Sequence, residues 1–307
     1  AKQVNSKGEV YEHIYGLTTS QRVYGTVREN QLGHGPCYLQ TSGITSEQDQ
    51  DLLKAYLNMA PSQTLKWIES GKMPGEQDVE IQGTEPYIVG GHTASGFWVD
   101  TKRETTIHGL YAAGDVAGGC PQKYVTGALA EGKIASLAII EQLKAASVEQ
   151  TSTIEDQAQA VLNDYKKIRS TQNGLFTIDD LEEAMQKVMD EYAGGIASNY
   201  QFNEKQLKLA EEKIARLSEL AEQIGAEDMH ELLFAYELKE RLLVCRVLIE
   251  HLKNRKETRW HSFNENLDHP EKDEKFEKYV NSRMEDGKLH ILFRDLVKGD
   301  TYEHTNS

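Results

Sequence analysis

Two glycine-rich loops carry the residue types best suited to chemistry. The first reads Gly90-Gly91-His92-Thr93-Ala94-Ser95-Gly96, and the second Gly114-Asp115-Val116-Ala117-Gly118-Gly119-Cys120-Pro121. Glycine admits positive φ and lets backbone approach a ligand closely. His92, set between glycines, titrates near neutral pH and can donate to an anionic substrate or move a proton. The bland alternative is a loop histidine bonded to a nearby carbonyl. Lys123 is the cation of the second loop, and its alternative is a solvated surface lysine. Asp115 directly follows the apolar run Leu110–Ala113. A carboxylate at the end of a strand is placed to accept hydrogen bonds from ligand hydroxyls. Thr126-Gly127 opens the next helical run, whose first N–H groups and dipole favour an anion, or an atom that becomes negative during reaction. An ordinary turn with a capping aspartate explains the same pattern, because glycine-rich loops are weak motifs. His34, in Gly33-His34-Gly35-Pro36, carries the same ambiguity.

The elements that must position these loops fall into four stretches. Residues 1–84 are mixed and polar. Helices are expected near Ser20–Gln31, at Glu47–Met59 and at Pro61–Ser70, the last with proline in its first turn, and a short strand at Cys37–Gln40. Within residues 85–147, the runs Ile88–Gly91, Phe97–Val99 and Leu110–Ala113 are apolar and broken by glycine, as buried strands are. Ala128–Leu143 then reads as a helix. Residues 148–258 are helical throughout. Thr177 with Asp180 resembles a capping box. Leu207, Ala210, Ile214, Leu217, Ala221 and Ile224 form one stripe, and Asp228 with Glu231 opens the helix after Gly225. Two antiparallel helices around a hydrophobic bundle core satisfy these stripes, and no chemistry is assigned to them. Residues 259–307 begin as a charged surface segment containing Pro270. Phe276–Met284 and Leu289–Phe293 then flank Asp286-Gly287, a hairpin signal. The fold class is mixed α+β.

Composition narrows the function. The chain has 307 residues, and 34 Lys and Arg against 49 Asp and Glu give a formal charge of −15. That balance argues against a nucleic-acid surface, which needs clustered positive charge, but leaves room for one small anion in a local pocket. Mean hydropathy is −0.60, and no apolar run approaches the ~20 residues of a membrane helix. No signal peptide is visible. Cys37, Cys120 and Cys245 are far apart and make no CxxC pair. They fit a reduced, cytoplasmic protein and hold no metal or cluster.

The run Leu110-Tyr111-Ala112-Ala113-Gly114-Asp115 is followed, after a loop, by Thr126-Gly127-Ala128-Leu129-Ala130-Glu131-Gly132. Together they resemble the returning half of the FAD domain in the fumarate reductase/succinate dehydrogenase flavoprotein family. The helices and the Phe276–Phe293 hairpin resemble that family's helical and C-terminal domains. Within the family, three stretches are similar to the adenylylsulfate reductase α-subunit branch: Gly35-Pro36-Cys37-Tyr38-Leu39-Gln40-Thr41, Met59-Ala60-Pro61-Ser62-Gln63, and the run from Glu85-Pro86-Tyr87 through Gly96-Phe97-Trp98-Val99. Fumarate reductases carry an arginine for their dicarboxylate in the loop corresponding to Gly118–Thr126. That loop has no arginine in this sequence, which counts against fumarate and succinate, since a doubly charged acid needs paired cations.

The resemblance implies a domain order: part of a capping region at 1–84, part of a Rossmann-like FAD domain at 85–147, an antiparallel helical bundle at 148–258, and a small C-terminal domain at 259–307. It implies that Gly114, Asp115, Thr126, Gly127, Ala128 and Leu129 contact FAD, with Asp115 on its hydroxyls and the helix start near the flavin's pyrimidine end. It makes His92 the catalytic histidine and, with Lys123, a substrate-binding residue. The implied reaction converts adenylylsulfate and two electrons to AMP and sulfite at flavin N5. The electrons come from a separate iron–sulfur β subunit, as the chain lacks cluster cysteines. No G-x-G-x-x-G occurs. The chain is therefore expected to be a C-terminal part that needs the missing FAD-binding half and is inactive alone. Two other readings are a family member acting on another small acid or sulfur compound, and a non-catalytic helical docking module for an electron-transfer partner.

Overall fold

The computed structural model describes residues 2–16, 19–83, 95–118, 125–145, 153–171, 176–259 and 264–296. The chain divides into two compact units, residues 1–89 with 260–264, and residues 90–259 with 265–307.

The first unit is built on an antiparallel sheet in the order β1 (Lys2–Val4), β2 (Cys37–Gln40), β3 (Val79–Ile81). Val4 lies opposite Tyr38, and Leu39 opposite Val79. Its helices are α1 (Glu12–Tyr15), α2 (Thr19–Gln31), α3 (Ser46–Met59) and α4 (Pro61–Ser70). Thr45 and Gln48 close a reciprocal capping box at the start of α3, and Pro61 occupies the first turn of α4 as expected. Strands β1 and β3 are only three residues long, too short to show an alternating pattern. The buried Glu29 carboxylate accepts from Asn5 Nδ2 at 3.1 Å and Tyr15 OH at 2.9 Å, and pairs with His34 Nδ1 at 3.0 Å. Burial opposes its charge, but these three partners together hold its carboxyl below the ordinary range. His34 therefore has a structural partner.

The second unit centres on helices. They are α5 (Val125–Ala145), α6 (Thr153–Ser170), α7 (Ile178–Tyr192), α8 (Glu204–Ala221) and α9 (Met229–Asn254). The stripe expected on α8 and its exit is buried from Leu207 through Ile224, packed against Leu181 and Met185 of α7 and Leu238, Leu242 and Ile249 of α9. Residues 222–228 join α8 to α9, a connection short enough to make them antiparallel neighbours. Arg169 Nη1 of α6 donates to the Ala226 carbonyl in that connection at 2.9 Å. Helices α7, α8 and α9 each start on a side-chain cap. Thr177 and Asp180 are reciprocal, Asn203 accepts from the Gln206 N–H at 2.8 Å, and Asp228 accepts from His230 and Glu231. Removing such a cap costs about 1 kcal/mol. Asn203→Ala should lower the unfolding free energy of the chain by that amount, read as a lower urea midpoint with an unchanged slope.

Strand β4 (Gln201–Phe202) pairs in parallel with β5 (Glu265–Asn266), and β6 (Lys278–Glu285) pairs antiparallel with β7 (Lys288–Asp295). Asp286 and Gly287 both have positive φ, the conformation a two-residue hairpin turn requires. The register sets Glu285 opposite Lys288 and Tyr279 opposite Arg294. Between α9 and the hairpin, the side chain of Glu257 is 0% exposed. It accepts from Arg255 Nη1 at 2.6 Å, from Arg259 Nε and Nη2 at 2.9 Å each, and from the Asp273 N–H at 3.0 Å. Arg255 also donates to the carbonyls of Phe276 and Lys278, so the cluster ties the end of α9 to the hairpin's approach.

The region around the glycine loops departs from the expected strands. Phe97–Val99 makes single bridges, Phe97 with Ala117 in parallel and Val99 with Thr105 antiparallel. Leu110–Ala113 makes one, Tyr111 with Glu104. Apolar runs become strands only where a ladder partner runs alongside, and among the described residues none does. Helix α5 starts at Val125, three residues before the expected Ala128, so Thr126 and Gly127 lie inside its first turn. The run Ile88–Gly91 lies outside the described residues.

Candidate functional site

Backbone packing fixes where the two glycine loops meet. The Phe97 N–H donates to the Val116 carbonyl at 2.7 Å, and the Gly118 N–H to the Phe97 carbonyl at 2.8 Å. Gly96 has φ +155°, and a Cβ there would lie 2.6 Å from the backbone of Val116, Ala117 and Gly118. Only glycine fits this approach. The loop carrying His92 ends at this junction, and the loop carrying Lys123 leaves from it. His92 and Lys123 themselves lie outside the described residues.

The second part of the site is a 3-10 turn, Gly114–Val116, set against the first turns of α5. Gly114 has φ +75°, and a Cβ there would sit 3.2 Å from Ala128 Cβ. The Gly114 N–H donates to Glu131 Oε2 at 3.1 Å. Glu131 is buried, and its Oε1 lies 3.2 Å from Arg103 Nε. Arg103 occupies a left-handed backbone position in a turn whose N–H groups at Lys102 and Glu104 are held by Asp100 Oδ1. Lower on α5, Tyr111 OH donates to Gln142 Oε1 at 2.7 Å. A buried carboxylate with both oxygens engaged is a rigid anchor. Glu131 thus joins α5, the Gly114 turn and the Arg103 turn.

Of the expected FAD contacts, the structure brings together Gly114, Asp115, Thr126, Gly127, Ala128 and Leu129, all on the Gly114 turn or the first turns of α5. Asp115 is exposed. Val125 and Leu129 are 75% and 70% exposed, and Leu137, Ile140 and Leu143 continue an open apolar face along α5. The arrangement offers an exposed carboxylate, the N–H groups and positive dipole end of a long helix, and apolar surface beside them. Glu131 had no role in the sequence reading. Its signal was a lone acid in the run Ala128–Ala138, whose other residues apart from Lys133 are small or apolar, where burial demands partners. Among the described residues no group of His, Cys, Asp and Glu could hold a metal, and no helix is long and apolar enough to cross a membrane.

Comparison with known proteins shows what the chain is similar to. Residues 182–304 match the family model for the C-terminal region of the fumarate reductase flavoprotein. Over 333 aligned positions the chain is 27% identical to the adenylylsulfate reductase α subunit of Megalodesulfovibrio gigas, covering 94% of the chain and 50% of that protein. It is 26% identical to an uncharacterised FAD-dependent oxidoreductase of Methanocaldococcus jannaschii, covering 84% of the chain and 44% of the relative. The structure superposes on adenylylsulfate reductase from Archaeoglobus fulgidus with a TM-score of 0.83 and 28% identity, covering 98% of this chain and 56% of that one. On Escherichia coli quinol–fumarate reductase the TM-score is 0.78 at 20% identity, covering 97% and 55%, a likeness of fold alone. The relatives it resembles include flavoprotein oxidoreductases. Residues 182–304 thus match the C-terminal region of the fumarate reductase flavoprotein, and in sequence and fold the chain is similar to adenylylsulfate reductase α subunits. It spans about half the length of the curated relatives it matches.

Proposed function

We propose that this chain forms one wall of an FAD site, and part of the substrate site beside it, in a flavoprotein that reduces adenylylsulfate to AMP and sulfite. The observation that carries the reading is the Gly114-Asp115 turn, held by buried Glu131 against the first turns of α5. Its residues fit the cofactor. The close approach at Gly114 leaves no side chain in the way, Asp115 presents an exposed carboxylate to hydroxyls, and the first turns of α5 lie against this turn. Bound there, FAD supplies a two-electron carrier. The dipole end of α5 at Thr126, Gly127, Ala128 and Leu129 favours negative charge next to it. His92 and Lys123 hold the anionic sulfate and phosphate, and His92 manages the proton. In this reading residues 1–84 belong to the capping region, 85–147 to the FAD domain, 148–258 to the helical domain and 259–307 to the C-terminal domain. A separate iron–sulfur subunit delivers the electrons, and the reduced cysteines fit the cytoplasm.

The open apolar face of α5 supports the reading, as an FAD-binding half of the flavoprotein would cover it. The test is to produce the chain joined to an N-terminal FAD-binding half and assay it with AMP plus sulfite and an artificial electron acceptor. Turnover is expected with these and not with fumarate, and sulfite should bleach the visible flavin absorbance. Turnover with fumarate instead moves the reading to another small acid. Absence of turnover with retained binding of an electron-transfer protein leaves a docking module.

A further inference from the structure

Arg294, on β7, stacks against the scaffold of the candidate site. Its guanidinium carbon lies 3.6 Å from the centre of the Trp98 ring and 5.3 Å from that of Tyr279, its cross-strand neighbour. Its Nε donates to Asn281 Oδ1 at 2.8 Å, which sets the plane of the head group. A cation over an aromatic face is attracted by the ring quadrupole, and arginine's flat head both stacks and donates in a fixed direction. Trp98 is 42% exposed, so burial does little to fix its plane and the cation correspondingly more. The ring belongs to the residue after Phe97, whose N–H and carbonyl make the two bonds that close the junction with Val116 and Gly118. A side chain of the C-terminal hairpin thus grips the segment where the two glycine loops meet.

We propose that Arg294 is a positioning residue for the candidate site: by clamping Trp98 it fixes the Gly96–Phe97 and Val116–Gly118 junction that continues the Gly114–Val116 turn. The clamp stands on the described geometry, while its consequence for turnover rests on the function proposed above.

Two measurements test it on Arg294→Ala, Arg294→Gln and Arg294→Lys. The first is amide hydrogen exchange of this chain without cofactor. Exchange at the Phe97 and Gly118 amides should rise about tenfold in Arg294→Ala and Arg294→Gln, the size expected for a half-exposed cation–π contact. Arg294→Lys should fall between them and the parent, because it keeps the charge and loses the directed bond to Asn281. Amides of α8 should not change. Equal exchange in all four proteins overturns the clamp, and so does Arg294→Lys behaving as alanine. The second is steady-state turnover of the flavin-loaded protein. Arg294→Ala should lower kcat about tenfold with the KM for AMP within about twofold, since a displaced junction misplaces groups without removing a substrate contact. An unchanged kcat in Arg294→Ala, in a protein where His92→Ala is inactive, overturns the positioning role. A protein in which His92→Ala retains full turnover refutes the site reading instead, and the exchange data then decide the clamp alone.

Discussion

Alanine at His92 should lower turnover of the flavin-loaded protein by roughly 10²–10⁴-fold, the range for loss of a positioned general acid or base. That corresponds to about 3–5 kcal/mol of transition-state stabilisation. Bound flavin, measured by absorbance, should stay stoichiometric, because the residues expected to hold it lie on the Gly114 turn and α5. His92 is the histidine of the first glycine loop, and the loop's end is locked by the Gly96 approach to Val116–Gly118. Unchanged turnover in His92→Ala removes this residue from the site.

The second large effect is on stability. Glu257→Ala should cost about 3–5 kcal/mol, because it strips a buried carboxylate from Arg255 and Arg259 and leaves their charge without its partner. Urea unfolding of the chain measures this. Burial alone would raise the Glu257 carboxyl, but the bonds from Arg259, the Asp273 N–H and Arg255 outweigh it and hold the group below its ordinary value of 4.5. The folded value therefore lies under the unfolded one. The contribution is complete above the unfolded value and is lost as pH falls through the folded one. Stability should accordingly fall on acidification below about pH 4.5, and Glu257→Gln should flatten that acid limb. A variant with the same acid limb as the parent rules out this carboxylate as its source.

Much of the fold could be read from the chain because it is made of long helices whose periodicity is strong. The α8 stripe from Leu207 to Ile224 is buried as its spacing requires, and Asp286-Gly287 turns the hairpin where its φ demands lie. The glycine loops were harder. Their apolar runs look like strands because hydrophobic residues next to glycine usually are, yet a strand depends on a partner elsewhere in sequence, and here each run finds a single bridge. The Gly114–Asp115 and α5 juxtaposition was readable only through the family pattern, since spacing alone fits a plain turn. The partners of Glu131 and Arg294 were not readable at all. Glu131 is a charged residue whose partners, Arg103 and Gly114, lie 28 and 17 positions away. Arg294 reaches a tryptophan nearly 200 positions earlier. Such pairings have no local signature, because tertiary structure alone brings the groups together.

The hairpin register has a consequence for how this chain tolerates change in length. Side chains alternate along β7, so Arg294 reaches Trp98 only while an unaltered count of residues separates it from the Asp286-Gly287 turn. One residue inserted between Gly287 and Arg294 would turn the guanidinium to the opposite face, while two would keep the face and shift it one pair along. Divergence in this segment is thus filtered by parity: relatives that gain or lose residues here should do so in pairs, or should lose the Arg–Trp stack together with the odd residue.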